Sequence, residues 1–374
     1  MRRPHRAGPI PGRAVGRAAA VLCLAAAVAA AGCSSGPADS DGPADDWPTA
    51  APAALGLDSS RLAALADTVR AGRYGSVGSL LVARRGTLAL ERYFGGYYPD
   101  DLIPVASVTK SVASALIGLA VDGGRIPGLG TPIHTLLPRY ADLFAADTAK
   151  RAIALEHVLT MRSGLAWDES WPPALEPGDG GDWLRVVLRQ PLAAPPGASY
   201  RYSTGDALIL SGVLQSVYGM SAESLAVRGL FGPLGISDYR WPADEGGLTP
   251  TGSGLELRPR DMAKIGQLFL GLGEFRGRRV LSEDWVRRST APHVTLEDGR
   301  RRGYMWWLLP ADTPPADSAL AGAFYAAGAG EQYVFVVPRL EMVVVVTADN
   351  LGVPFIRPLE FLTTEILPAA LDRR

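Results

Sequence analysis

The spacing of apolar positions changes several times along this chain, and the changes divide it. Residues 1–17 hold Arg2, Arg3, Arg6, Arg13 and Arg17 without one acid, and Ala18–Ala31 is then an unbroken small-apolar stretch. That stretch is shorter than the roughly 20 residues a membrane-spanning helix needs, so 1–32 reads as an export signal. Residues 33–52 are mostly Pro, Ala, Asp, Gly and Ser with one large apolar side chain, Trp47, and read as a flexible tether. Folded structure is expected over 53–374. Asp58 can cap a helix running to Arg70, and Val77–Val82 and Thr87–Phe94 flank Ala83-Arg84-Arg85-Gly86 as a hairpin would. A helix follows from Ser107, apolar over Val112–Val121 and closed by Gly123-Gly124.

The middle of the chain reads as short helices broken by Gly and Pro: Leu155–Met161, Asp182–Arg189, Asp206–Tyr218, Ala222–Gly229 and Pro259–Leu270. Between them, Gly164–Gly181 is a Trp- and Pro-rich loop long enough to form a wall or lid. Strand patterns return at Tyr304–Leu309, Tyr333–Val337 and Met342–Thr347, and a helix near Pro358–Leu367 closes the chain. The implied class is α/β of the α+β kind: an antiparallel sheet from both chain ends, flanked by helices, with an inserted mainly helical lobe. A site would lie where sheet and lobe meet.

Charge and cysteine usage narrow the partners. Lys and Arg total 37 against 38 Asp and Glu, a formal −1, and the basic runs are short; Arg300-Arg301-Arg302 reads as a solvated hairpin turn. Nucleic-acid binding is not expected. The two cysteines are Cys23, inside the signal, and Cys33, at its end, so no internal disulfide is available. His134, His157 and His293 lack metal-ligand spacing, and no metal or cofactor is expected; His157 reads as structural.

Three segments carry chemistry. Lysine occurs only at 110, 150 and 264, and Lys110 stands three residues after Ser107, one helical turn away on the same face. A serine hydroxyl becomes a nucleophile when a neighbouring group takes its proton, which an S-x-x-K pair does without histidine; the spacing also fits an N-cap serine beside a solvated lysine. Tyr200 and Tyr202 lie in a short extended piece before a helix, as proton-transfer phenols or as ordinary core or surface tyrosines. Tyr325–Gln332 holds small residues entering a strand, and small residues let backbone approach a bound acyl group or simply pack closely. Asp168-Glu169 are adjacent on a loop, a poor arrangement for flanking a glycosidic bond. The G-x-S-x-G match at Gly32–Gly36 lacks the strand and helix a nucleophile elbow requires.

Taken in order, Ser107-Val108-Thr109-Lys110-Ser111, Leu159–Leu165, Arg201-Tyr202-Ser203-Thr204, Gly252–Leu255 with Arg260–Ala263, Gly303–Trp307 and Gly328–Gln332 resemble the serine β-lactamase-related superfamily. The likeness is greatest to its class C branch, with the family VIII esterases and 6-aminohexanoate-dimer hydrolases, and it spans about 53–371. The resemblance implies a β-lactamase/transpeptidase-like fold, with Ser107 as nucleophile, Lys110 shaping its proton affinity, and Tyr202 as general base and then acid. It implies an oxyanion hole from the backbone N–H groups of Ser107 and Ala329, and a cleft lined by Trp167, Trp171, Thr204, Ala327 and Gly328. Two departures bear on substrate. Ala326-Ala327-Gly328 stands where relatives often carry Lys-Thr-Gly or His-x-Gly, and Thr204 replaces the usual Asn. Both favour an ester or non-peptide amide over a β-lactam or D-alanyl peptide. Glu331, where relatives commonly have Gly, has no reading from sequence. Ala30-Ala31-Gly32-Cys33 similarly resembles a lipobox, implying lipidation at Cys33 and an extracytoplasmic, membrane-anchored protein; ordinary cleavage and a secreted, soluble protein is the rival. The rival functions are a non-catalytic envelope binding protein and a penicillin-binding D,D-peptidase or β-lactamase.

Overall fold

The computed structural model describes residues 47–169, 181–244, 246–310 and 319–370. The signal, Cys33 and most of the tether, like Trp171, lie outside these. Trp47 does not: it is buried, donating its indole N–H to Gly86 O at 2.8 Å, so folded structure begins a few residues before position 53.

Eight antiparallel strands form the main sheet. They are β1 (Val77–Arg84), β2 (Thr87–Tyr93), β3 (Val294–Thr295), β4 (Arg301–Arg302), β5 (Trp307–Leu308), β6 (Phe324–Gly328), β7 (Gln332–Val337) and β8 (Met342–Ala348). Their spatial order is β2-β1-β8-β7-β6-β5-β4-β3, so the first strand pairs with the last and both chain ends build one sheet. The register sets Leu81 against Val345 and Phe324 against Val336. β1, β7 and β8 read as near-continuous apolar runs because both faces are covered. Leu80, Val82, Phe335 and Val344 face one cluster with helix α1 (Ser59–Arg70) and the C-terminal turns. Leu81, Val334, Val343 and Val345 face the larger cluster shared with the helical lobe.

Four helices of that lobe matter for the site: α2 (Val108–Asp122), α3 (Leu155–Leu159), α4 (Trp183–Arg189) and α5 (Thr204–Tyr218). Helix α6 (Pro259–Leu270) lies on β7 and β8, where a Cβ on Gly266 would come within 2.8 Å of Val343 and Val334 side chains. α2 is apolar nearly all round and buried along almost its whole length, as a central helix must be.

Three expectations change in detail. Of Tyr304–Leu309 only Trp307 and Leu308 pair as a strand, because Gly303–Trp306 forms a turn with Met305 at φ 62°. The helix at Leu155 stops at Leu159, before Met161 at φ 55°. The hairpin at Arg300–Arg302 forms, but it is not solvated throughout: Arg302 is 2% exposed, since β4 turns its side chain under the aromatic rings beside the site.

Candidate active site

The turn before α2 sets Ser107. Ala106 sits at φ 48°, a conformation that strains any residue with a Cβ, and Ser107 follows at the N-cap position of α2. The Ser107 hydroxyl makes no cap hydrogen bond. It accepts instead from Lys110 Nζ at 2.9 Å. Lys110 is 2% exposed, so the alternative of a capping serine beside a solvated lysine fails at both residues.

The three ammonium protons of Lys110 meet three acceptors: Ser107 Oγ, Thr204 Oγ1 at 2.9 Å and Gly252 O at 2.7 Å. None is a carboxylate. Burial pushes the Lys110 pKa down, and the nearness of Tyr202 and Glu169 opposes that only in part. An amine held this way changes protonation state more readily than a surface lysine.

Tyr202 enters from the extended segment before α5, whose first turn is fixed by Ser203 Oγ accepting from Asp206 N at 2.8 Å. Lys110 Nζ lies 5.1 Å from the centre of the Tyr202 ring. Tyr200 instead has a buried hydroxyl without a partner, and its ring lies beside the Arg302 guanidinium at 5.8 Å. Tyr202 is thus the tyrosine placed next to Lys110, whose amine also holds Ser107.

The opposite wall is the end of β6. A Cβ on Gly328 would fall 2.4 Å from Val105 O and 3.1 Å from Ser107 N, so only glycine lets the strand end rest on the Ser107 turn. Ala329 is the next residue after this contact, and neither its N–H nor that of Ser107 donates to a described residue. Backbone N–H groups without an internal partner at a helix start are of the kind that can receive an oxyanion. Ala327 packs toward the α1-side cluster and Ala326 is buried in the larger one, leaving Gly328 as the residue of this trio that touches the turn.

Several participants were not identified from sequence. Glu169 accepts from Thr204 Oγ1 at 2.9 Å, from the Thr204 backbone N–H and from the Trp167 indole at 2.6 Å. Lys110, Thr204 and Glu169 form a continuous hydrogen-bonded chain, with buried Trp167 holding the carboxylate rather than forming an open wall. The Gly252 carbonyl lies in a stretch singled out above, but nothing in a sequence marks a carbonyl as a lysine acceptor. Glu331 also gains a role. At φ 69° in the β6–β7 turn, its buried carboxylate accepts from Asn350 Nδ2 at 2.6 Å and Ile356 N at 2.7 Å, tying the 350–356 segment to the Ala329 turn. His157 is structural: its Nδ1 accepts from Ala154 N at the start of α3. Among the described residues no cluster of three or more His, Cys, Asp or Glu is arranged to hold a metal.

Known proteins resemble this chain in sequence and in architecture. A 6-aminohexanoate-dimer hydrolase of Paenarthrobacter ureafaciens is 25% identical over 225 residues, 56% of this chain and 55% of that enzyme, so the chain matches about half that relative's length. Among solved structures, a putative 6-aminohexanoate-dimer hydrolase from Bacillus anthracis superposes with a TM-score of 0.63 at 21% identity, covering 76% of each chain. A family VIII carboxylesterase gives 0.63 at 18% identity, covering 83% of this chain and 95% of its own. These two likenesses are of fold. Residues 63–359 match the Beta-lactamase family. Matched over most of its length, the chain belongs to the Beta-lactamase family, a family of hydrolases built on this fold.

Proposed function

We propose that the protein is a serine hydrolase that cleaves an ester or a non-peptide amide through an acyl-enzyme on Ser107. The observation that carries the reading is the buried lysine amine 2.9 Å from the serine oxygen, bonded to hydroxyls and a carbonyl only. In acylation Ser107 Oγ bonds to the substrate carbonyl carbon as its proton passes to the Tyr202–Lys110 pair. The carbonyl oxygen takes the negative charge beneath the N–H groups of Ser107 and Ala329. Tyr202 then protonates the departing alcohol or amine, and water repeats the sequence to release the acid.

Two features favour substrates without a carboxylate near the scissile bond. Ala326 and Ala327 offer β6 neither a cation nor a hydroxyl, and Glu169 adds a negative charge on the Lys110–Thr204 side. The names of the relatives, an amide-dimer hydrolase and a carboxylesterase, fit the same substrate range. Incubation with a fluorophosphonate, followed by intact mass, should give one adduct that Ser107→Ala abolishes, and wild type should turn over a p-nitrophenyl acyl ester. A folded protein that forms no adduct and turns over no ester is the non-catalytic binding protein instead. Stoichiometric labelling by fluorescent penicillin would support the D,D-peptidase reading. We further infer that Cys33 is lipidated and holds the domain on the outer side of a membrane; Cys33→Ser would then release it into the medium.

A further inference from the structure

The mechanism above leaves unused a buried charge that lies against the Tyr202 ring. Arg302, on β4, is 2% exposed, and its guanidinium lies 3.9 Å from the centre of the Trp307 ring and 5.5 Å from that of Tyr202. Its Nη2 approaches Met161 Sδ at 3.5 Å, while Nη1 is buried without a hydrogen-bond partner. Among the described residues no carboxylate pairs with it. A buried cation facing only aromatic rings and a thioether is costly unless something nearby carries negative charge for part of the reaction cycle. The acidic groups available are phenols, Tyr202 at 5.5 Å and Tyr200 at 5.8 Å, and Tyr202 is the one that also faces Lys110.

Arg302 differs from Lys110 in permanence. Burial works against both charges, but it drives a lysine toward its neutral form, whereas a guanidinium titrates so high that it stays charged. The oxyanion strand contributes no positive charge, because Ala326-Ala327-Gly328 fills its site end. The groups around Tyr202 are Lys110 from α2, Glu169 through Thr204, Tyr200 on its own segment, and Arg300 and Tyr325 around Trp307. Of these Glu169 opposes a phenolate; Arg300 and Arg302 are both cations that proton transfer at Ser107 leaves unchanged, and Arg302 is the one whose guanidinium lies against the Tyr202 ring itself.

We propose that Arg302 is a positioning residue for catalysis, a fixed charge that stabilises the proton-accepting form of Tyr202 from beneath its ring. The inference rests on the hydrolase reading, since it concerns the same site. Its test does not depend on turnover. Tyrosinate absorbance is titrated on the full chain for wild type and Tyr202→Phe, whose difference isolates Tyr202, and again for Arg302→Met and its Tyr202→Phe double variant. The Tyr202 midpoint should rise by about one pH unit or more in Arg302→Met and stay near wild type in Arg302→Lys. With an ester that is turned over, the acidic limb of kcat/KM should move by the same amount. An unchanged midpoint overturns the proposal, as does a wild type in which Tyr202 does not titrate before alkaline unfolding. If Arg302→Met does not fold, Arg302→Gln, neutral but polar, gives the same reading. Loss of the fluorophosphonate adduct would sink the hydrolase reading and leave this titration untouched.

Discussion

Two regions each bury a lysine and an aspartate in the first turns of helices, and they treat the charges in opposite ways. At the start of α6, Lys264 lies 3.0 Å from Asp261 and 3.0 Å from Gly235 O, and Arg258 holds the other Asp261 oxygen at 2.8 Å. Around Ser107, Lys110 has no acid among its hydrogen-bond partners. Asp206, in the first turn of α5, has no cation; it accepts from Ser163 Oγ at 2.6 Å. Near α6 the opposite charges neutralise one another, and their role ends in holding the helix. At the site neither charge has an opposite charge bonded to it among the described residues, so burial is the largest influence on each and favours its neutral form. Separation of buried charge, more than burial itself, distinguishes the site from the scaffold.

Removing each lysine tests this most directly. Lys110→Met should lower kcat/KM by roughly 10²–10⁴-fold while the thermal midpoint holds or rises, because an amine without a counter-charge is replaced by an apolar chain. Lys264→Met should do the reverse, costing about 3 kcal/mol by breaking a buried pair, with kcat per folded molecule unchanged. Chemical denaturation of both variants beside their kcat/KM separates the cases. If Lys110→Met cost stability and spared turnover, the distinction would collapse.

Asp206 sharpens the comparison through pH. Burial pushes its pKa up to about 7, against the pull of the hydrogen bonds from Ser163. Its folded pKa thus lies above the unfolded value of 3.8, and between them the folded state binds the extra proton. The stability this supplies is full below 3.8 and is lost as pH rises through about 7, at up to roughly 1.4 kcal/mol per pH unit. In Asp206→Asn that loss of stability with rising pH should largely disappear, as urea denaturation at a series of pH values would show. Asp261→Asn, which removes an acid already paired, should leave the slope in place.

Sequence carried the architecture further than the site. Apolar runs placed β1, α2, α6, β7 and β8 within a residue or two, because burial on nearly all sides leaves a plain compositional mark, and the Asp58 cap placed α1. Resemblance singled out Ser107, Lys110 and Tyr202, and the fold sets Lys110 against each of the other two. Arg302 and Glu169 were hidden for different reasons. A lone arginine in an Arg-Arg-Arg run looks solvated, and only the pairing of β4 with β5 places its side chain under Trp307 and Tyr202. Glu169 reaches Thr204, 35 positions away, by a loop path that no local period encodes. Trp47, one aromatic in a polar tether, was hidden in the same way, since its partners at Gly86 and Phe275 are distant in sequence.

Glu331 offers the smallest and most local test of what a buried charge does without an opposite charge. It sits in the Ala329 turn, like Asp206 bonded only to neutral donors, yet its two oxygens are used to fasten a neighbouring segment: Asn350 Nδ2 on one and Ile356 N on the other. Asn350 in turn accepts from Ser76 N at 2.7 Å, so the clamp joins the entrance of β1 to the Ala329 turn. Glu331→Gln keeps the shape but sets an amide N–H₂ against one of those two donors. The lost hydrogen bond and the donor–donor conflict should cost about 1–3 kcal/mol. If the clamp also fixes the Ala329 N–H, kcat should fall several-fold with KM little changed, because an oxyanion donor acts in the transition state rather than on bound substrate. A variant that loses stability with full kcat would show that Glu331 belongs with Asp261, a charge that holds the scaffold and has no part in the chemistry.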